Sequence, residues 1–122
     1  MPDLARQALG RSAEALAATH LRAQGYTIEA ANARFPVGEI DLIAREGTTL
    51  CFVEVRSASS QEWGGALESI TDRKRRRVVR AAAWYLARRR AAPEEVRFDV
   101  VTVQWTPGRP VVELVRAAFF AD

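Results

Sequence analysis

Two acids and one basic residue on two adjoining segments carry the most specific chemistry in this chain. Asp41 lies in GEIDLIAR (38–45) and Glu54 in TLCFVEVRS (49–57), with Arg56 just beyond. In the first segment Ile40, Leu42 and Ala44 alternate with Glu39, Asp41 and Ile43. In the second, Leu50, Phe52, Glu54 and Arg56 alternate with Cys51, Val53 and Val55. Both have the two-residue period of strands. The linker Glu46-Gly47-Thr48-Thr49 suits an antiparallel hairpin, and a register centred between Gly47 and Thr48 sets Asp41 opposite Glu54 and Glu39 opposite Arg56. Carboxylates side by side in a half-buried place repel unless a cation lies between them. Mg²⁺ fits that need, because it takes hard oxygen ligands, commonly one or two carboxylates, and keeps waters for the rest. The Val55 carbonyl offers a third oxygen. Such a metal beside a basic surface is what phosphodiester hydrolysis requires, since it lowers the pKa of bound water and offsets charge in the transition state. Arg56 would flank that site, with Glu39 pairing to it across the strands.

The flanking elements must hold this pair in place. Residues 4 to 24 read as a helix of good helix formers ended by Gly25, with Glu14 on the face of Ala17, Ala18 and Leu21. TIEA (27–30) reads as a short strand and NARFPVG (32–38) as a turn-forming link. Ser57 to Ser69 reads as a loop. From Thr71 to about Arg90 a helix is expected, with Val78, Val79, Ala82, Tyr85 and Leu86 on one arc and Arg73, Arg76, Arg77, Arg80 and Arg88 on the other. VRFDVVTVQW (96–105) and VVELV (111–115) are the last strands, separated by the turn TPGRP. The resulting class is α/β, a mixed sheet of about five strands flanked by helices, in which the helix from Thr71 crosses over between parallel strands.

The 122 residues suit one domain spanning 1–122, and 48% hydrophobic with 27% charged residues is a globular composition. One Cys and one His exclude a disulfide framework and a zinc site of three or four N/S ligands. No apolar signal core opens the chain and no run approaches a membrane span, so a cytoplasmic protein without a membrane partner is expected. Residues 73–90 hold nine of the 18 Lys and Arg and no acid, so this segment carries +9. The rest, with nine basic against 15 acidic residues, carries −6. Arg73, Lys74, Arg76, Arg77 and Arg80 are therefore the expected nucleic-acid contacts. Trp84 is expected to pack under a neighbouring loop, and His20 and Cys51 read as structural.

These motifs converge on a resemblance. GEIDLIA, twelve residues between Asp41 and the Glu of FVEVR, ITDRK, Ala82 with Tyr85-Leu86, RFDVV and a terminal RAAFF resemble the YraN family of small bacterial proteins over nearly the whole chain. That family resembles archaeal Holliday-junction resolvases and the restriction-endonuclease-like PD-(D/E)xK superfamily. The resemblance implies a restriction-endonuclease-like core, Mg²⁺ or Mn²⁺ on Asp41 and Glu54, and Glu14 as an accessory acid. It also implies DNA, including branched DNA, as substrate, and a homodimer, since a four-way junction offers two symmetric cuts. One position departs from the pattern: the Lys expected after the ExK spacing is Arg56, which stays protonated and so stabilises charge or orients a phosphate. Lys74, the only Lys, stands at the start of the basic helix, from where it contacts phosphate or approaches the site. Three readings stay open: a metal-dependent nuclease, a nucleic-acid-binding module that has lost cutting, and a protein-interaction adaptor.

Overall fold

The computed structural model describes the backbone of residues 2–59 and 70–121 and the side chains of residues 12–58 and 70–121. The elements run α1 (Pro2–Ala23), β1 (Thr27–Phe35), β2 (Gly38–Glu46), β3 (Thr49–Ser59), α2 (Asp72–Ala87), β4 (Glu95–Trp105) and β5 (Val111–Phe119). The strands form one sheet in the order β1-β2-β3-β4-β5. Every neighbouring pair is antiparallel except β3 and β4, which run parallel from Thr49–Glu95 to Ser59–Trp105. A parallel pair needs a long crossover, and α2 lies within it. The fold is thus α/β with a mixed five-stranded sheet. Among the described residues no helix is long and apolar enough to cross a membrane.

Among the described residues each face of the sheet carries one helix. Ala13, Ala17, Ala18 and Leu21 of α1 pack on Leu42, Ala44, Cys51, Val53, Val101 and Val103. Small alanines let the helix lie close to the sheet. Val78, Ala81 and Ala82 of α2 cover Ile43, Leu50, Phe52 and Val100 on the other face. The arginines at 73, 76, 77, 80 and 88 are exposed, as the helical arc predicts. α2 starts at an N-cap Thr71, whose hydroxyl accepts the Lys74 N–H at 3.2 Å. It ends at Ala87, so Arg88, Arg89 and Arg90 leave the helix earlier than periodicity suggests.

Three sequence expectations are corrected. β1 continues through Asn32-Ala33-Arg34-Phe35, which had read as a link, and the turn is confined to Pro36-Val37. The cross-strand partners Ala33–Ile40 and Arg34–Glu39 supply pairing that local composition does not reveal. Residues 57–59 belong to β3, and the remainder of the expected loop, 60–69, lies outside the described residues. Alternation in β2 breaks at Asp41: Ile40 packs with Ile43 toward α2, whereas Leu42 and Ala44 face α1. β1 is irregular at the same level, with Asn32 at φ 51°, a left-handed backbone that Asn tolerates better than most residues.

A buried ionic network on the α1 side accounts for the RFDVV motif. Asp99 is fully buried and accepts from the Tyr26 hydroxyl at 2.9 Å, Arg97 Nε at 2.8 Å and Arg97 Nη2 at 2.9 Å. Its Oδ1 also accepts the backbone N–H of Ala117 at 2.9 Å. Ala117 has φ 52°, and the β4–β5 register shifts between Phe98 and Val100. Asp99 thus stabilises the irregular end of β5, while Arg97 continues to Glu46 at 2.7 Å. A buried carboxylate with this many donors is a satisfied structural charge.

Candidate active site

The β2–β3 hairpin closes as its sequence predicts, with Glu46 opposite Thr49 around Gly47-Thr48, where Gly47 adopts φ 61°. The ladder then runs from that pair to Leu42–Val53. At the next level side chains replace the backbone pairing. The Asp41 N–H donates to Glu54 Oε2 at 3.2 Å, and the Val55 N–H donates to Asp41 Oδ2 at 2.8 Å. Each strand therefore satisfies the other's exposed N–H with a carboxylate, and the two acids are fixed beside each other where the strands separate. In an extended strand the C=O of a residue leaves on the same side as its N–H. The Val55 carbonyl accordingly faces the Asp41 side.

Glu54 is only 2% exposed and Asp41 is half-buried. Burial raises both carboxyl groups above their ordinary range, and the charge of Asp41 raises Glu54 further. The cations that oppose this shift on both acids are Lys74 and Arg56. Lys74 reaches the pair from α2, across the cleft, whereas Arg56 follows Glu54 on β3. Glu14, half-buried on α1, receives a hydrogen bond from the Asn32 side chain and feels the charges of Asp41 and Glu39. Burial is the largest cause of its raised pKa. Glu39 meets Arg34, its cross-strand partner on β1, at 3.5 Å, where the sequence had suggested Arg56.

Asp41 and Glu54 line a cleft of about 810 Å³ together with Thr71, Arg73, Lys74 and Arg77. Its far wall is the β1–β2 turn, where a Cβ added at Gly38 would lie 3.6 Å from the Arg77 carbonyl oxygen. The N-terminal turn of α2 borders this cleft, adding the positive end of a helix to three cationic side chains. Among the described residues, Arg73, Lys74 and Arg77 have no carboxylate at salt-bridge distance. The basic face does not act as one patch: Arg76 and Arg80 line a separate groove with Arg75. Arg89, by contrast, is bound by Glu29 at 2.6 Å, so it belongs to the scaffold.

No three His, Cys, Asp or Glu side chains converge to hold a metal among the described residues. The donors present are two carboxylates and a backbone carbonyl, all hard oxygen, which suits Mg²⁺ or Mn²⁺ and does not suit a closed zinc site. Cys51 is buried, and burial pushes its thiol up to about 12, so it is not a reactive thiolate. Trp84 packs on Phe35 with ring centroids 5.1 Å apart, and the Arg88 guanidinium lies 3.7 Å over its ring. Its neighbour is thus the end of β1. Sequence reading did not anticipate Thr71 or the β1–β2 turn as cleft walls, because neither carries a chemical signature of its own.

Comparison with known proteins agrees over most of the chain. The profile of the family described as "Uncharacterised protein family UPF0102" matches residues 13–103. A UPF0102 protein of Desulfosudis oleivorans is 47% identical over 117 residues, covering 96% of this chain and 94% of that one. A second, from Anaeromyxobacter dehalogenans, is 46% identical and covers 96% of this chain and 87% of its own. A third, from Pseudomonas aeruginosa, is 45% identical with 92% of each chain covered.

Proposed function

The chain belongs to the UPF0102 family, and from that premise we propose that it is a Mg²⁺- or Mn²⁺-dependent nuclease that hydrolyses phosphodiester bonds in DNA, branched DNA included. The reading takes its core to be restriction-endonuclease-like, of the PD-(D/E)xK kind, and its working form to be a homodimer. The observation that carries it is the buried pair Asp41–Glu54, held by reciprocal backbone hydrogen bonds and opened onto a cleft with Lys74. Burying two adjacent carboxylates costs stability. A purely structural hairpin gains nothing from that cost, whereas a cation site requires it.

Asp41 and Glu54 would hold the cation, with the Val55 carbonyl as a third oxygen. When bound, that cation would supply Lewis acidity and a water of lowered pKa. The protein's own residues do the rest. The Val55 N–H fixes the orientation of Asp41, so the carboxylate is placed before any ligand arrives. Arg73, Arg77 and the first turn of α2 receive the phosphate backbone on the cleft wall. The motif's Lys is Arg56 in this chain, and Lys74 restores an ammonium to the same two carboxylates from the opposite wall. Lys74 is suited to orient the attacking water and balance charge on the scissile phosphate, with Arg56 as a fixed positive charge beside it. Glu14, near enough to feel the charge of Asp41, would serve as the accessory acid of the same cation site.

Mn²⁺ titration followed by electron paramagnetic resonance tests this reading. One bound ion per chain is expected, lost in Asp41→Asn and kept when Arg73 and Arg77 are changed to Gln. Equal Mn²⁺ affinity in Asp41→Asn would remove the basis of the proposal.

A further inference from the structure

The basic helix has a second flank that the acid cleft does not use. Between α2 and the end of β5 lies a groove of about 800 Å³, walled by Arg75, Arg76, Val79 and Arg80 on one side and Phe119 and Phe120 on the other. Phe120 is 71% exposed, the most exposed large apolar side chain described. Its neighbour Phe119 is buried and closes an aromatic tier that runs inward, with centroids 5.1 Å from Phe98 and 5.8 Å from Phe98 to Phe52. The Arg75 guanidinium lies 5.8 Å over the Phe119 ring, and its buried Nε has no hydrogen-bond partner among the described residues. Arg76 and Arg80 are exposed and meet no carboxylate at salt-bridge distance there.

We propose that this groove holds an unpaired stretch of nucleic acid, its backbone on Arg76 and Arg80 and a base stacked on Phe120. The inference rests on the nucleic-acid reading of the acid cleft and adds the form of the substrate. Arginines alone would suit any polyanion. The carboxylates of an acidic peptide gain nothing from the negative face of an aromatic ring beside them, whereas a base is a flat π-surface that stacks on it. A paired duplex hides its base faces except at its ends, so the groove selects unpaired strand. Asp72 is the one acid among the described residues of the lining, and the N-terminal turn it occupies offsets its charge.

Geometry links the two sites. Arg73 and Arg77 face the acid cleft, and Arg76 and Arg80 face the groove, so consecutive turns of α2 offer cations to both flanks. The flanks are separated by the width of one helix, roughly 10–12 Å. Asp72 to Ala83 spans roughly 16 Å along the axis, room for at most about five nucleotides at the roughly 3.4 Å spacing of a stacked strand. A strand cut in the cleft and crossing the first turns of α2 enters the groove, so the favoured substrate carries a single-stranded branch next to the scissile bond.

The test is fluorescence anisotropy with a labelled oligothymidylate and a blunt-ended duplex, in chelator to prevent cutting. Phe120→Ala is expected to weaken oligothymidylate binding about five- to 150-fold and to leave duplex binding unchanged. Phe120→Trp is expected to restore it. Arg76→Gln and Arg80→Gln should each lower the salt slope on the single strand by about 0.7. Unchanged single-strand affinity in Phe120→Ala, or equal losses on single strand and duplex, overturns the groove while the nuclease reading stands. Displacement by polyglutamate as effectively as by oligothymidylate also overturns it. Absence of any nucleic-acid binding by the wild-type chain overturns the parent reading and the groove together.

Discussion

Replacing Glu54 by Gln is expected to stabilise the metal-free protein at neutral pH while abolishing its cation site. Glu54 is 2% exposed, and burial, followed by the charge of Asp41, pushes its carboxyl from 4.5 up to about 8. A carboxyl raised in the folded state gives full stability below its unfolded value and loses it as pH rises toward the folded one. Between pH 4.5 and pH 7 that loss accumulates at about 1.36 kcal/mol per pH unit, about 3 kcal/mol in all. Gln carries no charge to desolvate and keeps an oxygen for the Asp41 N–H. For a chain of this size the gain corresponds to a rise in Tm of roughly 10 °C at pH 7, vanishing near pH 4.5. Thermal unfolding followed by circular dichroism in chelator, across that pH range, measures it. A Glu54→Gln variant no more stable than wild type at pH 7 would refute the argument that this carboxylate is buried against an electrostatic cost.

Two further predictions concern the cleft wall and the scaffold. Lys74→Ala should lower the cleavage rate about 10²-fold or more, and Lys74→Arg should restore DNA affinity without restoring the rate. Comparable rates for Lys74→Ala and wild type would mean that Lys74 takes no part in the reaction. Asp99→Ala should destabilise the fold by about 3–5 kcal/mol in urea unfolding, since it leaves Arg97, the Tyr26 hydroxyl and the Ala117 N–H without their shared acceptor. A loss under about 1 kcal/mol would show that this network is dispensable.

The hairpin that carries Asp41 and Glu54 was legible from alternation and from a two-residue turn, because both are local rules. The same holds for α2, whose apolar and arginine arcs follow from the helical period alone. What local rules miss is contact between distant segments. β1 extends to Phe35 because β2 pairs with it, although Pro36 and Gly38 make its second half read as a link. The break in alternation at Asp41 depends on Asn32 in the neighbouring strand and on the point where β2 and β3 separate. Asp99 reads as an unexplained polar residue in an apolar strand, and its partner Tyr26 is 73 residues away. The cleft was half legible: two acids and a cluster of arginines stood out. That the chain's only Lys approaches those acids was one of two readings its sequence position left open, and the packing of α2 beside β2 brings it to their cleft.

The central claim is that Asp41 and Glu54 form a cation site for cutting DNA. Its most direct test is cleavage of labelled single-stranded, duplex and four-way-junction DNA in Mg²⁺ or Mn²⁺ and in chelator, with Asp41→Asn purified in parallel. The account predicts cutting that requires the metal, is lost in Asp41→Asn and is fastest on branched DNA. Cutting that survives Asp41→Asn, or no cutting of any of the three by the wild-type protein in either metal, would contradict it.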